Sequence, residues 1–307
     1  MHKHSSLSII IVNWNSGRQL CDCLDSIREF GAPYVSQTVV VDNGSSDGSV
    51  NAARDAPGIT LVEARENLGF AKACNLGAQL AQAEYLLFFN PDAALHKDTL
   101  SIAVSFMNRP EHTNVGICGV RLVDEHGETT TCASRFPTLK VLVGSTLGLA
   151  RVLPRIFPPL LMTPGELSQS RPVDQVIGAF FLIRKSVFDL CRGFDERFFV
   201  YFEEVDLSLR AKQLGYGSYY IAEATAFHMG GGSTGKVKAT RLFYLLRSRL
   251  CYTRKHFTEF SYALSIILTA LELPLRVFRG IVRGSWEDVQ NTLRAYSRLM
   301  CSFFRRS

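Results

Sequence analysis

The chain of 307 residues contains no CxxC pair, no GxGxxG after its first apolar run and no GxxxxGK[ST]. The missing glycine patterns argue against an NAD-binding domain and a P-loop ATPase. The eight cysteines are scattered, and Cys21 and Cys23, two apart, face away from each other on a helix. They read as reduced residues of a cytosolic protein, not a disulfide framework. The N-terminal Met1-His2-Lys3-His4-Ser5-Ser6 lacks the apolar stretch and small-residue cleavage site of a signal peptide. No apolar run reaches the roughly 20 residues needed to span a bilayer. Internal repeats and low-complexity tracts are absent as well.

What is present is an ordinary globular composition, 47% hydrophobic and 20% charged, long enough for one α/β domain with appendages. The net charge of +6 is unevenly spread. Residues 240–307 hold 12 Lys+Arg against 4 Asp+Glu, whereas the first 239 hold 22 against 24. A basic tail on a near-neutral body points to an anionic surface, nucleic acid or anionic lipid by charge alone. The tail is rich in Leu, Ile and Phe and carries no nucleic-acid motif, so lipid is favoured.

Four apolar runs, at 7–12, 38–41, 59–62 and 85–89, alternate with helical patterns such as Leu20, Leu24, Ile27 and Phe30. Such alternation within about 90 residues predicts a mostly parallel sheet covered by helices. The continuous apolarity of the runs agrees, because parallel strands are buried on both faces. A helix over 101–107, strands around 115–120 and a strand pair over 175–183 follow. Between them, Pro137, Pro154, Pro158, Pro159, Pro164 and Pro172 punctuate a stretch expected to be irregular, a mobile or acceptor-covering excursion. In the tail, the apolar run from Tyr262 to Leu271 stops before Glu272 and Pro274. Its length suits a helix lying in a membrane interface, or a helical hairpin packed on the domain.

Polar residues gather where the strands end, the edge at which open α/β sheets bind ligands. The run Tyr85–Phe89 ends in Asn90-Pro91-Asp92. A carboxylate there suits a divalent cation held against a phosphate, although Asn-Pro-Asp is also good turn chemistry. Asp42 ends the second run, where it could bond a ligand's base or ribose or cap an Asx turn. Arg65 and Asn67 follow the third run at the same edge. Glu203, Glu204 and Asp206 crowd one helix start. Neighbouring like charges raise a carboxyl pKa, as a general base near neutrality requires. Helix-start acids are also favoured by the dipole, and Asp206 is spaced to pair with Arg210. His228 precedes the glycine-rich 230–232, as a structural histidine or as a metal ligand gated by a loop.

Taken together, Ile10–Asn15, Val40–Ser49, Asn67–Ala71, Asn90-Pro91-Asp92 and Phe194–Phe199 with Glu203-Glu204-Val205-Asp206-Leu207 and Arg210 resemble the family 2 inverting glycosyltransferases of the GT-A fold, nearest their bacterial rhamnosyltransferase-like branch. The resemblance covers about residues 7–235. It implies an α/β, Rossmann-like, mostly parallel central sheet flanked by helices, with a C-terminal helical, basic, membrane-proximal extension. It implies a domain over 1–239, with a nucleotide-binding half (1–99) and an acceptor-binding half (100–239), followed by the extension 240–307. By resemblance, Asp42 contacts the nucleotide base, and Asn13, Arg65 and Asn67 help to hold the nucleoside. Asn90-Pro91-Asp92 stands where the family usually has Asp-x-Asp: Asp92 matches the metal-binding Asp, and Asn90 departs at the ribose or metal contact. Glu204 matches the catalytic-base position, with Glu203 and Asp206 beside it, and His228 matches the second metal ligand.

The implied reaction is metal-dependent, inverting transfer of a sugar from a nucleotide-diphosphate sugar, dTDP-rhamnose by the branch, to a glycan or polyprenyl-diphosphate-linked acceptor in cell-surface polysaccharide synthesis. The cofactor is Mg²⁺ or Mn²⁺. The expected location is cytoplasmic, peripheral to the inner face of the cytoplasmic membrane, and nucleic acid is not expected as a partner. Another donor, UDP-hexose or galactofuranose, and a non-catalytic nucleotide-sugar-binding subunit are the alternatives. The second would predict loss of the base or metal residues, yet Asp92, Glu204 and His228 are all present.

Overall fold

A computed structural model describes residues 7–54, 56–230 and 238–304. The chain divides into two compact units. The first comprises residues 1–136, 161–196 and 203–233; the second comprises 137–160, 197–202 and 234–307. The expected α/β fold with a largely parallel, helix-covered sheet is the architecture of the first unit.

Strands β1 (Leu7–Asn13), β2 (Val35–Asp42), β3 (Ile59–Glu63) and β4 (Tyr85–Phe89) are the four apolar runs, and all run parallel in the order β3-β2-β1-β4. Alternation along β1 shows why they are apolar throughout. Leu7, Ile9 and Ile11 pack into the core on one face, and Ile10 and Val12 into the core on the other. A strand buried on both faces favours apolar side chains throughout, and the polar exception within β1, Ser8, is itself fully buried with its hydroxyl 3.4 Å from Gln37 Oε1. Helices α1 (Gln19–Phe30), α2 (Asn51–Arg54) and α3 (Phe70–Gln79) cover the sheet. Gly77 of α3 lies so close to β1 that an added Cβ would meet Ile10 Cγ2 at 2.5 Å.

Register fixes the functional edge. Asn13 pairs with Asp42 and Asp42 with Glu63, so three strands end level. Because β2 lies to one side of β1 and β4 to the other, the crevice between their ends is a topological switch point. The strand Phe180–Arg184 runs antiparallel beside β4, with Phe180 opposite Phe89. Its preceding residues therefore arrive at the end of β4, where the Asn90 N–H donates to the Ala179 carbonyl at 3.1 Å. Beyond it, Val115–Val123 and the 12-residue Gly217–His228 pair in parallel. Gly217–His228 then pairs with the short Ala93–Leu95, setting His228 opposite Ala93.

Residues expected to be irregular hold a helix, Leu139–Leu147. The Thr138 side chain caps it by accepting from the Val141 N–H, and Gly148, at φ +75°, ends it. Thr and Gly thus bracket a segment, Leu-Lys-Val-Leu-Val-Gly-Ser-Thr-Leu, in which two valines, a glycine, a serine and a threonine weaken the helical preference of its leucines and lysine.

In the second unit this helix accompanies Lys238–His256, Glu259–Val282 and Trp286–Phe304. Phe243, Leu246, Leu250, Ala295, Tyr296 and Leu299 form its core. The run expected to stop before Pro274 instead continues as a 24-residue helix with Pro274 inside it. Pro274 and Ala270 are exposed, so the carbonyl that proline leaves unpaired lies on the outer side. Among the described residues, no helix is long and apolar enough to cross a membrane.

Candidate active site

At the ends of β1 and β2 the polar residues lock two loops together. Asn13 is fully buried, and its amide donates to Asp42 Oδ1 at 2.7 Å and to Ser49 Oγ at 2.9 Å. The Ser16 hydroxyl donates to Asn13 Oδ1. Asp42 Oδ2 accepts from the Ser45 N–H at 3.1 Å. Asp42 therefore does close an Asx-type turn, and it also stands 4% exposed at the sheet edge with its carboxylate oriented by Asn13.

Asn43, given no role from sequence, organises the next loop. It is buried, its Oδ1 accepts from the Leu68 N–H at 2.8 Å, and its Nδ2 donates to Asn67 Oδ1 at 3.0 Å. Asn67 Oδ1 also accepts from the Gly69 N–H at 2.9 Å. Gly69, at φ +82°, precedes α3. An Asn directly after a strand-ending Asp was the available signal. Arg65 is exposed beside this loop.

Asp92 and His228 come together across the Ala93–His228 strand pairing. Asp92 Oδ1 is 3.4 Å from His228 Nε2, and the side chains are 11% and 14% exposed. The Met229 N–H donates to the Asp92 carbonyl at 3.1 Å, fixing the two backbones. The separation is close to that of two adjacent ligands of one octahedral cation, about 3 Å for bonds of about 2.1 Å. No cluster of three or more His, Cys, Asp or Glu suits a metal among the described residues. A cation here would take one carboxylate and one imidazole from the protein and its remaining ligands from substrate oxygens and water. Residues 231–237, which hold most of the glycine-rich loop expected to gate His228, lie outside the described residues.

Glu203 and Glu204 open the helix Glu203–Gln213. Each has a buried carboxylate oxygen, Oε2, without a hydrogen-bond partner. Burial holds both carboxyls above the ordinary range, and the neighbouring Glu204 charge raises Glu203 further. A Cβ placed on Gly178 would lie 4.0 Å from Glu204 Cγ, while the adjacent Ala179 bonds Asn90. Glu204 thus sits at the same sheet edge as the Asn90–Asp92 turn. Asp206 is different: it is fully buried and accepts from Arg210 Nε at 2.7 Å. Arg210 also donates to the carbonyls of Cys191 and Gly193. The i,i+4 pair that the spacing allowed therefore forms, and it pins the 191–193 turn to the helix.

Most of the expected site residues therefore collect at one edge: Asn13 and Asp42 at the β1 and β2 ends, Arg65 and Asn67 after β3, Asn90 and Asp92 after β4, His228 opposite Ala93, and Glu204 across from Gly178, with Glu203 buried beside it at the start of the same helix. Asp206 turns away into its ion pair.

A GT-A-type likeness exists among solved structures. A mannosyltransferase from Pyrobaculum calidifontis in complex with GDP-Man and Mn²⁺ superposes with TM-score 0.57 at 18% identity, covering 96% of this chain and 86% of that one. GalNAc-T7 with UDP, GalNAc and Mn²⁺ matches with TM-score 0.57 at 14% identity, covering 74% of this chain and 44% of that one. In sequence, the chain is 29% identical over 253 residues to the N-acetylglucosaminyl-diphospho-decaprenol L-rhamnosyltransferase of Mycobacterium tuberculosis, covering 77% of this chain and 80% of the relative. It is 23% identical over 228 residues to the O-antigen chain rhamnosyltransferase RfbN of Salmonella typhimurium, covering 72% of this chain and 66% of that one. Residues 8–191 match the model of glycosyl transferase family 2. With that match spanning more than half its length, and with the strand-edge site in place, the chain belongs to glycosyl transferase family 2.

Proposed function

We propose that this glycosyltransferase carries out metal-dependent, inverting transfer of rhamnose from a nucleoside-diphosphate donor to a polyprenyl-diphosphate-linked saccharide in cell-surface polysaccharide assembly. The observation that carries the mechanism is Glu204, whose buried Oε2 has no partner at the edge that also holds Asp92 and His228. The donor and acceptor classes rest on the names of the relatives.

Inversion needs one displacement at the sugar's anomeric carbon, with a base on the attacking face. Glu204 takes the proton of the acceptor hydroxyl, and burial, which raises its carboxyl above the ordinary range, makes it the stronger base for that task. Glu203 raises the local cost of charge, and Asp206, through Arg210, holds the helix in place. Asp42 receives the base of the nucleotide on the platform that Asn13 orients, with Arg65 and Asn67 beside the nucleoside and Asn90 at the ribose. Asp92 and His228 would hold Mg²⁺ or Mn²⁺, which supplies charge neutralisation for the departing diphosphate. In this reading residues 1–99 bind the nucleotide and 100–239 the acceptor. Residues 240–307 keep the enzyme at the inner face of the cytoplasmic membrane, where a polyprenyl-linked acceptor is met.

The test is transfer from dTDP-rhamnose to a short-chain polyprenyl-diphosphate-GlcNAc with Mn²⁺, with the new anomeric centre read by NMR. An inverted rhamnosyl product supports the reading. A retained configuration overturns the mechanism, and transfer only from a UDP-sugar replaces the donor.

A further inference from the structure

The helix Glu259–Val282 is largely inverted. A surface helix normally shows charge to water and apolar side chains to its neighbours. Here the buried residues are Ser265, Leu268, Thr269, Glu272 and Gly280, while Phe260, Ile267, Leu271, Phe278 and Val282 are between 47% and 76% exposed. These five follow one another at spacings of seven, four, seven and four residues. At 100° per residue they stay within about 60° of each other around the helix. Ala263, Pro274 and Ile281, also exposed, extend the same side. No charged residue interrupts the stripe, which runs for about 33 Å at 1.5 Å per residue.

The inward polar face is fully used. Glu272 accepts from Arg249 at 2.6 Å and from Thr146 at 3.0 Å, and Arg249 donates to Thr269 at 2.9 Å. Arg276 completes the set at 3.3 Å from Glu272. The orientation of the helix is thereby fixed, and the apolar stripe cannot roll inward without breaking a buried ion pair.

A contiguous exposed apolar surface of this length marks an interaction site. Charge selects the occupant. Residues 240–307 carry 12 Lys+Arg against 4 Asp+Glu, so a second copy facing this surface would meet its own sign. An anionic surface meets the opposite one. Arg279 and Arg283 are exposed at the end of the stripe, where their stems can run along it while the guanidinium groups reach outward. Trp286, 69% exposed, follows directly, and interfacial tryptophans commonly anchor at headgroup level. A second exposed apolar and basic segment of the same unit, Arg151-Val152-Leu153-Pro154-Arg155-Ile156, follows the helix that Thr146 ties to Glu272.

We propose that the helix Glu259–Val282 lies flat in the interface of an anionic lipid bilayer, its Phe260–Val282 stripe among the acyl chains and Arg279 and Arg283 at the phosphates, with Arg151–Ile156 as a second inserting element. This deepens the membrane partner of the proposed function and rests on that reading for its purpose, not for its physics.

The test is co-sedimentation of the full chain with phosphatidylcholine vesicles, with and without phosphatidylglycerol. Leu271→Glu/Phe278→Glu and Arg279→Gln/Arg283→Gln are compared, with thermal unfolding, gel filtration and nucleotide-sugar binding as controls. The wild type binds phosphatidylglycerol vesicles with a blue shift of tryptophan emission. The glutamate pair, on exposed positions, keeps its fold and donor binding but partitions at least about tenfold more weakly. The glutamine pair loses the preference for anionic vesicles. Vesicle binding by the glutamate pair equal to wild type overturns the proposal. So does a wild-type dimer that this pair makes monomeric, which would give the stripe to a second copy. Vesicle binding without donor binding would defeat the transferase reading alone, and donor binding without vesicle binding would defeat this one alone.

Discussion

Asp92 Oδ1 stands 3.4 Å from His228 Nε2, joined by the pairing of Ala93 with His228 in adjacent strands. The first expected outcome follows from this pair. Asp92→Ala and His228→Ala each lower turnover by roughly a hundredfold or more, the rate equivalent of several kcal/mol. Chelation of the wild type has the same effect, and Mn²⁺ restores the wild type only. Steady-state transfer assays with and without EDTA check it.

Glu204→Gln keeps the shape of the side chain and removes the proton acceptor. kcat falls by about 10²–10⁴-fold, the usual range for a general base, while the donor dissociation constant stays near wild type. Burial raises the Glu204 pKa, and the carboxylate is the active form. Wild-type kcat therefore drops as pH falls through a value above the ordinary Glu pKa of about 4.3. A pH–rate profile beside donor calorimetry reads both effects.

Glu203 has the opposite consequence for stability. Its carboxyl is raised in the folded chain by burial and by Glu204. A raised carboxyl contributes stability that is complete below the unfolded pKa and is lost as pH rises through the folded one. The wild-type melting temperature should thus decline on going from mildly acidic to alkaline buffer, and Glu203→Gln should flatten the decline. Calorimetric melts of the two proteins across that range are the check.

Asn43 reaches the Leu68 N–H and Asn67 from the end of β2. Asn43→Ala leaves that loop without its anchor. The expected result is a raised KM for the donor with kcat little changed, and a stability loss of about 1–2 kcal/mol. Denaturant unfolding and donor-dependent kinetics separate the two effects.

Glu272 is buried between Arg249 and Thr146. Burial opposes its charge, but Arg249, with Arg276 beyond it, outweighs burial and holds the carboxyl below its ordinary value. Glu272→Ala leaves the Arg249 charge without its partner and should cost about 3 kcal/mol. Glu272→Gln, which keeps an acceptor for Thr146 and Arg249, should cost less. Urea unfolding of both variants measures the difference.

The sheet was readable because each strand of its parallel half carries a mostly apolar run, broken only by single residues such as Ser8 and Thr60, and the edge acids stood out because carboxylates are rarely placed there for packing. Asp206 was readable too, as an i,i+4 partner of Arg210, and the ion pair forms. Other features depend on contacts that local pattern does not carry. Nothing in spacing says that His228 meets Asp92, since a strand pairing brings them together. Asn43 acts through bonds to Asn67 and the Leu68 N–H, a separate loop that no local spacing links to it. The helix Glu259–Val282 was visible as an apolar run, but Pro274 read as its end. Which side faced out was set by Arg249, distant in sequence. Leu139–Leu147 was hidden because its helix signals lie in its caps.

The central claim is that one sheet edge binds a nucleotide sugar through a metal held by Asp92 and His228. Isothermal titration of UDP-, dTDP- and GDP-sugars, each with and without Mn²⁺, into the wild type and Asp92→Ala tests it most directly. The account predicts binding of one donor, dTDP-rhamnose, that needs Mn²⁺ in the wild type and is lost in Asp92→Ala. Equal binding with and without Mn²⁺, unchanged in Asp92→Ala, would contradict it.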